Sequence, residues 1–491
     1  MILRKYRLGA CSAAMFVGVT VSTLAATTRE VGSGRTYATI QGAINAAVAG
    51  DIINVHAGNY TEVVGVNKSS LTIRANPGDF PSITGQIKVN ANNCTIDGLE
   101  IKGWTGNNSG ITEASYNSTI YSGLTVKNCV IHAGPATSKA TYPINVNNCS
   151  GTMSCGIFAR NHTKTTITNV EIYGCITGMY MMSCKSTDGT FANGTVIANV
   201  NIHDCASDGV DVLGQYITLQ DSKIYDNLSA DSTPAKYHSD GIQVINNTGT
   251  TGTKNTDGMG CAQHLRIWRN TFGNATQNIF LEGPNDGSTA LWSSPYVITD
   301  VLIANNVCYT NPPGTNIHGM DPTTTTTKGI NIGYADGCHL YNNTILNQTT
   351  GINTGKNTYV HNNILKDCTT ALNVPNTQLP TGALDYNLYY KNNNAVRWGT
   401  NFFATIVAFS AAHPLQEMHA VAGDPKLGSM TTPILQSGSA ALDKAVNLYA
   451  SASSCDLDRV KNIRPSSGAW DTGAYTYSSA PAPPTNLAIV P

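Results

Sequence analysis

Ser207-Asp208-Gly209-Val210-Asp211-Val212 returns, 32 residues later, as Ser239-Asp240-Gly241-Ile242-Gln243-Val244. A chain that repeats itself at such a distance folds as stacked units, each burying its apolar face against the next. If the two copies are neighbouring strands, Asp208 lies beside Asp240 at one strand spacing, about 4.8 Å. Two carboxylates that close repel each other unless a cation or a shared proton relieves them.

The same theme runs from Cys94 to Val374. An alternating strand is followed by Asn or Asp, a second alternating pair, a turn and a Gly-led strand. Val126-Lys127-Asn128-Cys129-Val130-Ile131, Ile167-Thr168-Asn169-Val170-Glu171-Ile172 and Ile197-Ala198-Asn199-Val200-Asn201-Ile202 are members, and Asp221 keeps the place of Asn. Asn270, Asn306, Asn343 and Asn362 occupy it later. Asn tolerates the left-handed backbone of a tight corner and bonds its own main chain, so a recurring Asn predicts a ladder at one corner. The Gly-led strands align as Gly178-Met179-Tyr180-Met181, Gly209-Val210-Asp211-Val212, Gly241-Ile242-Gln243-Val244, Asn278-Ile279-Phe280-Leu281 and Gly329-Ile330-Asn331-Ile332. Strand alternation sends the flanking apolar residues inward and predicts an outward row of Tyr180, Asp211, Gln243, Phe280 and Asn331.

The two ends read differently. Arg4, Lys5 and Arg7 precede an apolar run from Ala13 to Leu24, and Thr23 and Ala25 suit a cleavage site. Residues 1–25 are thus expected to be a signal peptide, giving a secreted, periplasmic or extracellular protein. No later segment is long and apolar enough to span a bilayer. Ile40, Ile44 and Ala47 recur at helical spacing after a Thr39 cap, predicting a short helix over one open end of the stack. Residues 26–400 form the repeat region. Residues 401–478 are expected to fold back on the last coils, with Arg459, Arg464 and Asp471 structural, and 479–491 are a Pro-rich tail or linker.

Charged residues are 12% of the chain and the net charge is −1. No whole-chain field favours nucleic acid or anionic lipid. Thirteen cysteines leave twelve beyond Cys11. Cys129, Cys175, Cys205 and Cys368 occupy similar places in their repeats. A few disulfides are one reading, since export permits them; a row of buried thiols acting as small apolar residues is the preferred one. There is no phosphate loop, zinc-protease motif or nucleophile elbow.

These features predict an all-β chain, and the arrangement resembles the right-handed parallel β-helix of the pectate-lyase-like superfamily. The capping helix, the Asn corner and Asn342-Asn343-Thr344-Ile345 carry that resemblance. It implies a solenoid with an N-terminal capping helix and a C-terminal segment packed on the last coils. The superfamily hosts lyases, hydrolases, epimerases, tailspikes and adhesins, so fold alone selects no activity.

The acidic residues Asp208, Asp211 and Asp240, with Gln243 and Glu282 beyond them, offer oxygen ligands of the kind calcium takes. The structural alternative makes Asp208 and Asp240 turn residues bonding backbone amides. Lys236-Tyr237-His238 ends a long insertion directly before Ser239 and Asp240. A lyase needs a base for the proton α to a uronate carboxylate and a positive group for the resulting enolate. Lys236 and His238, with Asp240, are the expected catalytic residues. Family 9 pectate lyases carry a Ser-Asp-Asp-Gly-Trp-Asp calcium motif; Ser207-Asp208-Gly209-Val210-Asp211 is similar but lacks one of the paired Asp. The resemblance carries Asp208 and Asp211 over as ligands, with Asp240 replacing the missing one in space. Tyr180, Tyr237, Gln243, Glu282 and Arg269 are expected to bind substrate, and Arg266, Trp268 and Trp292 are further sugar contacts on the same face.

The expected function is therefore that of an exported polysaccharide lyase, calcium-assisted and monomeric, acting on an acidic polymer by β-elimination. A C5-epimerase would share the first step. A glycoside hydrolase would use Asp208 and Asp240, or Asp211 and Glu282, as its acid/base pair. A non-catalytic carbohydrate-binding or surface protein would leave the acidic cluster a turn ladder.

Overall fold

The computed structural model describes residues 26–104, 108–114, 119–133, 154–227, 239–244, 262–281, 298–312, 315, 326–375, 384–449 and 455–478. Each coil contributes three short strands, and strands of successive coils pair in parallel. In one coil these are Thr166–Thr168, Glu171–Tyr173 and Thr177–Cys184. The result is a right-handed parallel β-helix with three stacks of strands. Inside it, one apolar residue per strand stacks on its equivalent. The first-strand column is Val126, Ile167, Ile197, Leu219, Ile267, Ile303, Leu340, Val360 and Leu384. All are buried, which supplies the main stabilisation of each coil.

The corner after the first strand is left-handed in coil after coil: φ is 55° at Asn128, 53° at Asn169, 55° at Asp221 and 55° at Asn342. The residue that follows points inward. It is Cys129, Val170 and Val200 early, Ser222 at the changeover, then Asn270, Asn306, Asn343, Asn363 and Asn387. Those five asparagines form the expected ladder. Asn306 Oδ1 accepts the Asn270 amide at 2.9 Å, and Asn306 Nδ2 donates to Ile267 O at 2.8 Å and Asn343 Oδ1 at 3.0 Å. The sequence reading merged two adjacent columns. Asn362 belongs to the left-handed one, with φ 63°, and Asn363 is the ladder member.

At several coils the third strand opens on a glycine that its neighbour approaches too closely for a side chain. A Cβ on Gly209 would stand 2.6 Å from Gly241 O, and one on Gly178 would stand 2.5 Å from Gly209 O.

Helix α1, Ile40–Ala46, covers the N-terminal end as expected. Thr39 Oγ1 accepts the Gly42 amide at 3.1 Å, and Glu62 takes the Ile40 and Gln41 amides at 2.9 Å each. Lys68 donates to the carbonyls of Ile44, Asn45 and Ala47 at the other end. Helix α2, Ile406–Ala412, packs near the last long strand, Asn394–Trp398. The following chain returns over the corners. Buried Arg464 reaches Asn305 Oδ1 at 3.1 Å and Gly473 O at 2.7 Å, while Arg459 reaches Thr271 Oγ1 at 3.1 Å.

Ten cysteines are described, all free and buried, in line with the thiol reading. Cys175, Cys205 and Cys368 follow equivalent second corners, whereas Cys129 sits at the first corner. No helix among the described residues is long and apolar enough to cross a membrane. Residues 1–25 and 479–491 lie outside the described residues.

Candidate functional site

The expected outward row exists in register. Phe158 pairs with Tyr180, Tyr180 with Asp211, Asp211 with Gln243, Gln243 with Phe280, and Phe280 with Asn331. Asn353 and Asn373 extend it. Tyr180 and Phe280 stand three strand spacings apart, about 14 Å, with Asp211 and Gln243 between them. Phe158 and Tyr180 stack at 5.8 Å.

A second column flanks this row, just before each glycine. Asp240 pairs with Gln277 and Gln277 with Lys328. Asp208 is the neighbour of Asp240: the Asp240 amide donates to Asp208 Oδ1 at 2.7 Å, and the Gly209 amide donates to Asp240 O at 2.8 Å. The two aspartates are therefore on adjacent coils, as the repeat requires. Ser207 Oγ donates to Asp208 Oδ2 at 3.0 Å. Asp208 thus holds the turn through its carboxylate, which is the backbone-bonding role given above as the alternative to a ligand. Asp208, Asp211 and Asp240 are all buried, at 5%, 7% and 0% exposure, although they project from the outer side of the strands.

Both oxygens of Asp208 already accept hydrogen bonds. Among the described residues no group of three or more His, Cys, Asp and Glu is arranged to hold a metal.

Lys328 escaped the sequence reading. It is half-buried, two spacings from Asp240 in the same column, about 10 Å along the helix axis. Burial pulls its ammonium below the usual lysine range, and the Asp240 charge opposes that pull only in part. Its position was readable, since Lys328 precedes Gly329 as Asp240 precedes Gly241. Beyond it the row turns to amides. Asn331 Nδ2 donates to Gln277 Oε1, and Asn353 Nδ2 donates to Asn331 Oδ1 at 2.7 Å.

His203 also went unnoticed. It lies in a stack of rings formed by equivalent second-strand residues, His132, Tyr173, His203 and Tyr225, with centroids 4.8, 5.4 and 5.3 Å apart. Its nitrogens meet Asp204 at 2.7 Å and Glu171 at 3.1 Å. Burial works against its charge, but those two carboxylates prevail and raise it to about 9. The imidazolium fixes Asp204, the left-handed residue (φ 55°) that opens the turn to Asp208.

Several expected contacts lie elsewhere. Arg269 occupies a left-handed first corner, pairs with Asp221 at 2.8 Å and is 7% exposed. It braces the coil and is not on the face, because its own backbone turns the corner there. Arg266 and Trp268 belong to a first strand, Gln263–Trp268, and so to a different flank. Lys236, Tyr237, His238, Glu282 and Trp292 lie outside the described residues.

No protein-family model matches the sequence, and no curated protein does. Solved structures similar to the chain include a pectate lyase, Pel9A, at 12% identity and a TM-score of 0.44, covering 92% of this chain and 98% of that one. A complex of XylC with xylose is similar at 11% identity and a TM-score of 0.48, with coverage of 92% and 98%. The A-module of the Azotobacter vinelandii mannuronan C-5 epimerase AlgE4 follows at 13% identity and a TM-score of 0.39, covering 74% of this chain and 93% of that one. At these identities the likeness concerns the fold alone.

Proposed function

We propose that this chain is a polysaccharide lyase that cleaves an acidic, uronate-containing glycan by β-elimination on the third-strand face. The observation that carries the reading is the position of Lys328, a half-buried lysine in one column with Asp240 and beside the Tyr180–Phe280 row, whose ammonium burial pulls below the usual lysine range. A lowered lysine gives up its proton more readily than a surface one and so suits the part of a base. In this reading Lys328 Nζ takes the C5 proton of a uronate. The electron pair forms the C4–C5 double bond, the C4–O bond breaks, and the departing oxygen acquires a proton. Tyr180 and Phe280 bracket the sugars, and Asp211 and Gln243 hold hydroxyls between them. Asp208 and Asp240 keep the turn in place. No step is routed through calcium. The basic and apolar pattern of residues 4–24 supports export of the enzyme.

The test is an assay of pectate, alginate and mixed acidic glycans, with calcium and with a chelator, followed by the ultraviolet absorbance of the new double bond. Lys328→Met is expected to lower turnover by at least about a hundredfold, the usual contribution of a general base, with an unchanged melting temperature. New reducing ends without that absorbance would replace elimination by hydrolysis. Retention on glycans with neither signal would leave a binding protein.

A further inference from the structure

Arg266 stands on the outer side of the first-strand stack, and among the described residues no acid pairs with it. Its strand alternates, with Leu265 and Ile267 buried and Arg266 between them turned outward. The guanidinium carbon lies 4.4 Å from the Phe191 ring centre and 5.9 Å from that of Trp268. Both rings are fixed: Trp268 Nε1 donates to Gln220 Oε1 at 2.7 Å, and Phe191 meets Tyr216 edge-on at 5.5 Å. Among the described residues Arg266 has no carboxylate partner and donates no hydrogen bond. Asp300, an acid of the next first strand, is engaged by His264 instead. Arg266 contrasts with Arg269, Arg459 and Arg464, which all spend their donors inside the fold.

A guanidinium held over an aromatic face is pre-organised: its rotamers are limited before a ligand arrives, and its planar fork suits a carboxylate. Beyond Arg266 the row is closed: its next member, Leu302, is buried with Leu448, Cys455 and Trp470 of the returning C-terminal chain. The open side of Arg266 is the one bordered by Phe191.

We propose that Arg266 is the anchor of a second glycan site, on a flank distinct from the third-strand face, where it takes the carboxylate of an acidic sugar in a bidentate contact and Phe191 borders the chain. The identity of the ligand as an acidic glycan rests on the lyase reading; the site itself rests on the free, ring-held cation. Such a site would hold a long polymer while the third-strand face works on another stretch, and would matter little for short oligosaccharides that cannot reach both.

The test is affinity electrophoresis of the full chain in gels containing polygalacturonate or alginate, beside the same polymers with their carboxyl groups reduced to alcohols. The Lys328→Met background prevents turnover. Adding Arg266→Gln is expected to weaken retention on the acidic polymers about tenfold, the effect of losing one charge-assisted pair. It should leave the weak retention on the reduced polymers unchanged. Arg266→Lys, which keeps the charge without the fork, is expected to fall between. With Lys328 intact, Arg266→Gln should turn over short oligosaccharides as the parent does. Equal retention of Arg266→Gln and its parent on acidic polymer overturns the site, as does an equal loss on the reduced polymer. Should Arg266→Gln fail to fold, Arg266→Lys and the reduced polymers decide alone. Retention through Arg266 without any unsaturated product would sink the lyase reading and keep this one; product with retention indifferent to Arg266 does the reverse.

Discussion

The first corner of the solenoid is built twice from different chemistry. In the early coils its inward residue is apolar, as at Leu99, Cys129, Val170 and Val200; in the later coils it is Asn, from Asn270 to Asn387. The backbone is the same in both halves, with left-handed residues at φ 52° in Asn199 and 56° in Asn305. What differs is how the buried polar groups of the corner are met. An apolar residue fills space and leaves them to other partners. An Asn accepts from the coil before it through its side-chain oxygen and donates through its amide groups to the coil after it, so a change at one rung is felt at the next. Ser222 joins the two regimes: its hydroxyl accepts the Val200 amide at 3.2 Å and its own amide donates to Asn270 Oδ1 at 3.0 Å.

The contrast can be broken at its strongest point by Asn306→Leu. The Asn270 amide and Ile267 O would lose their partner inside the core, which should cost about 3–5 kcal/mol in urea unfolding. Val200→Ala in the apolar half should cost only roughly 1–3 kcal/mol. Equal losses would mean the ladder adds nothing beyond volume.

Acidity sharpens the comparison further. The ladder ends on Glu417, which accepts from Asn387 Nδ2 at 2.8 Å and Tyr389 Oη at 2.5 Å. Burial raises this carboxyl to about 7. Its folded value lies above its unfolded one, so its neutral form favours the fold. That contribution is complete below the unfolded value near 4.5 and is lost as pH rises through about 7. Glu417→Gln should flatten the corresponding fall in melting temperature. His203 in the early half has the same sign with a later window. Its contribution is complete below 6.5 and lost as pH rises through about 9. His203→Phe should remove the slope between those two pH values and leave the Glu417 slope standing. The smallest effect belongs to the left-handed backbone of the corner: Asn169→Ala, at φ 53°, should cost about 1 kcal/mol.

Much of this scaffold could be read from the chain, because coils impose a strict spacing on residue type. The outward row from Tyr180 to Asn331 and the adjacency of Asp208 and Asp240 follow from strand alternation and a 32-residue repeat. The corner was harder, since two Asn columns run side by side and sequence cannot tell Asn362 from Asn363. Arg269 looked free because its partner, Asp221, is 48 residues away. Lys328 was passed over because it replaces an acid by a base in its column, and similarity of type was the guide. His203 needed the third dimension: its two carboxylates come from different coils.

The returning C-terminal chain has a consequence for biosynthesis. Arg459 bonds Thr271, 188 positions earlier, and Ala474 bonds Thr344, 130 positions earlier. A nascent solenoid can wind rung upon rung as it emerges, since each rung needs only its predecessor. Its latch is made last. Until Arg459 and Arg464 arrive, the midsection stands wound but unfastened, and a chain stopped short of residue 459 would remain so.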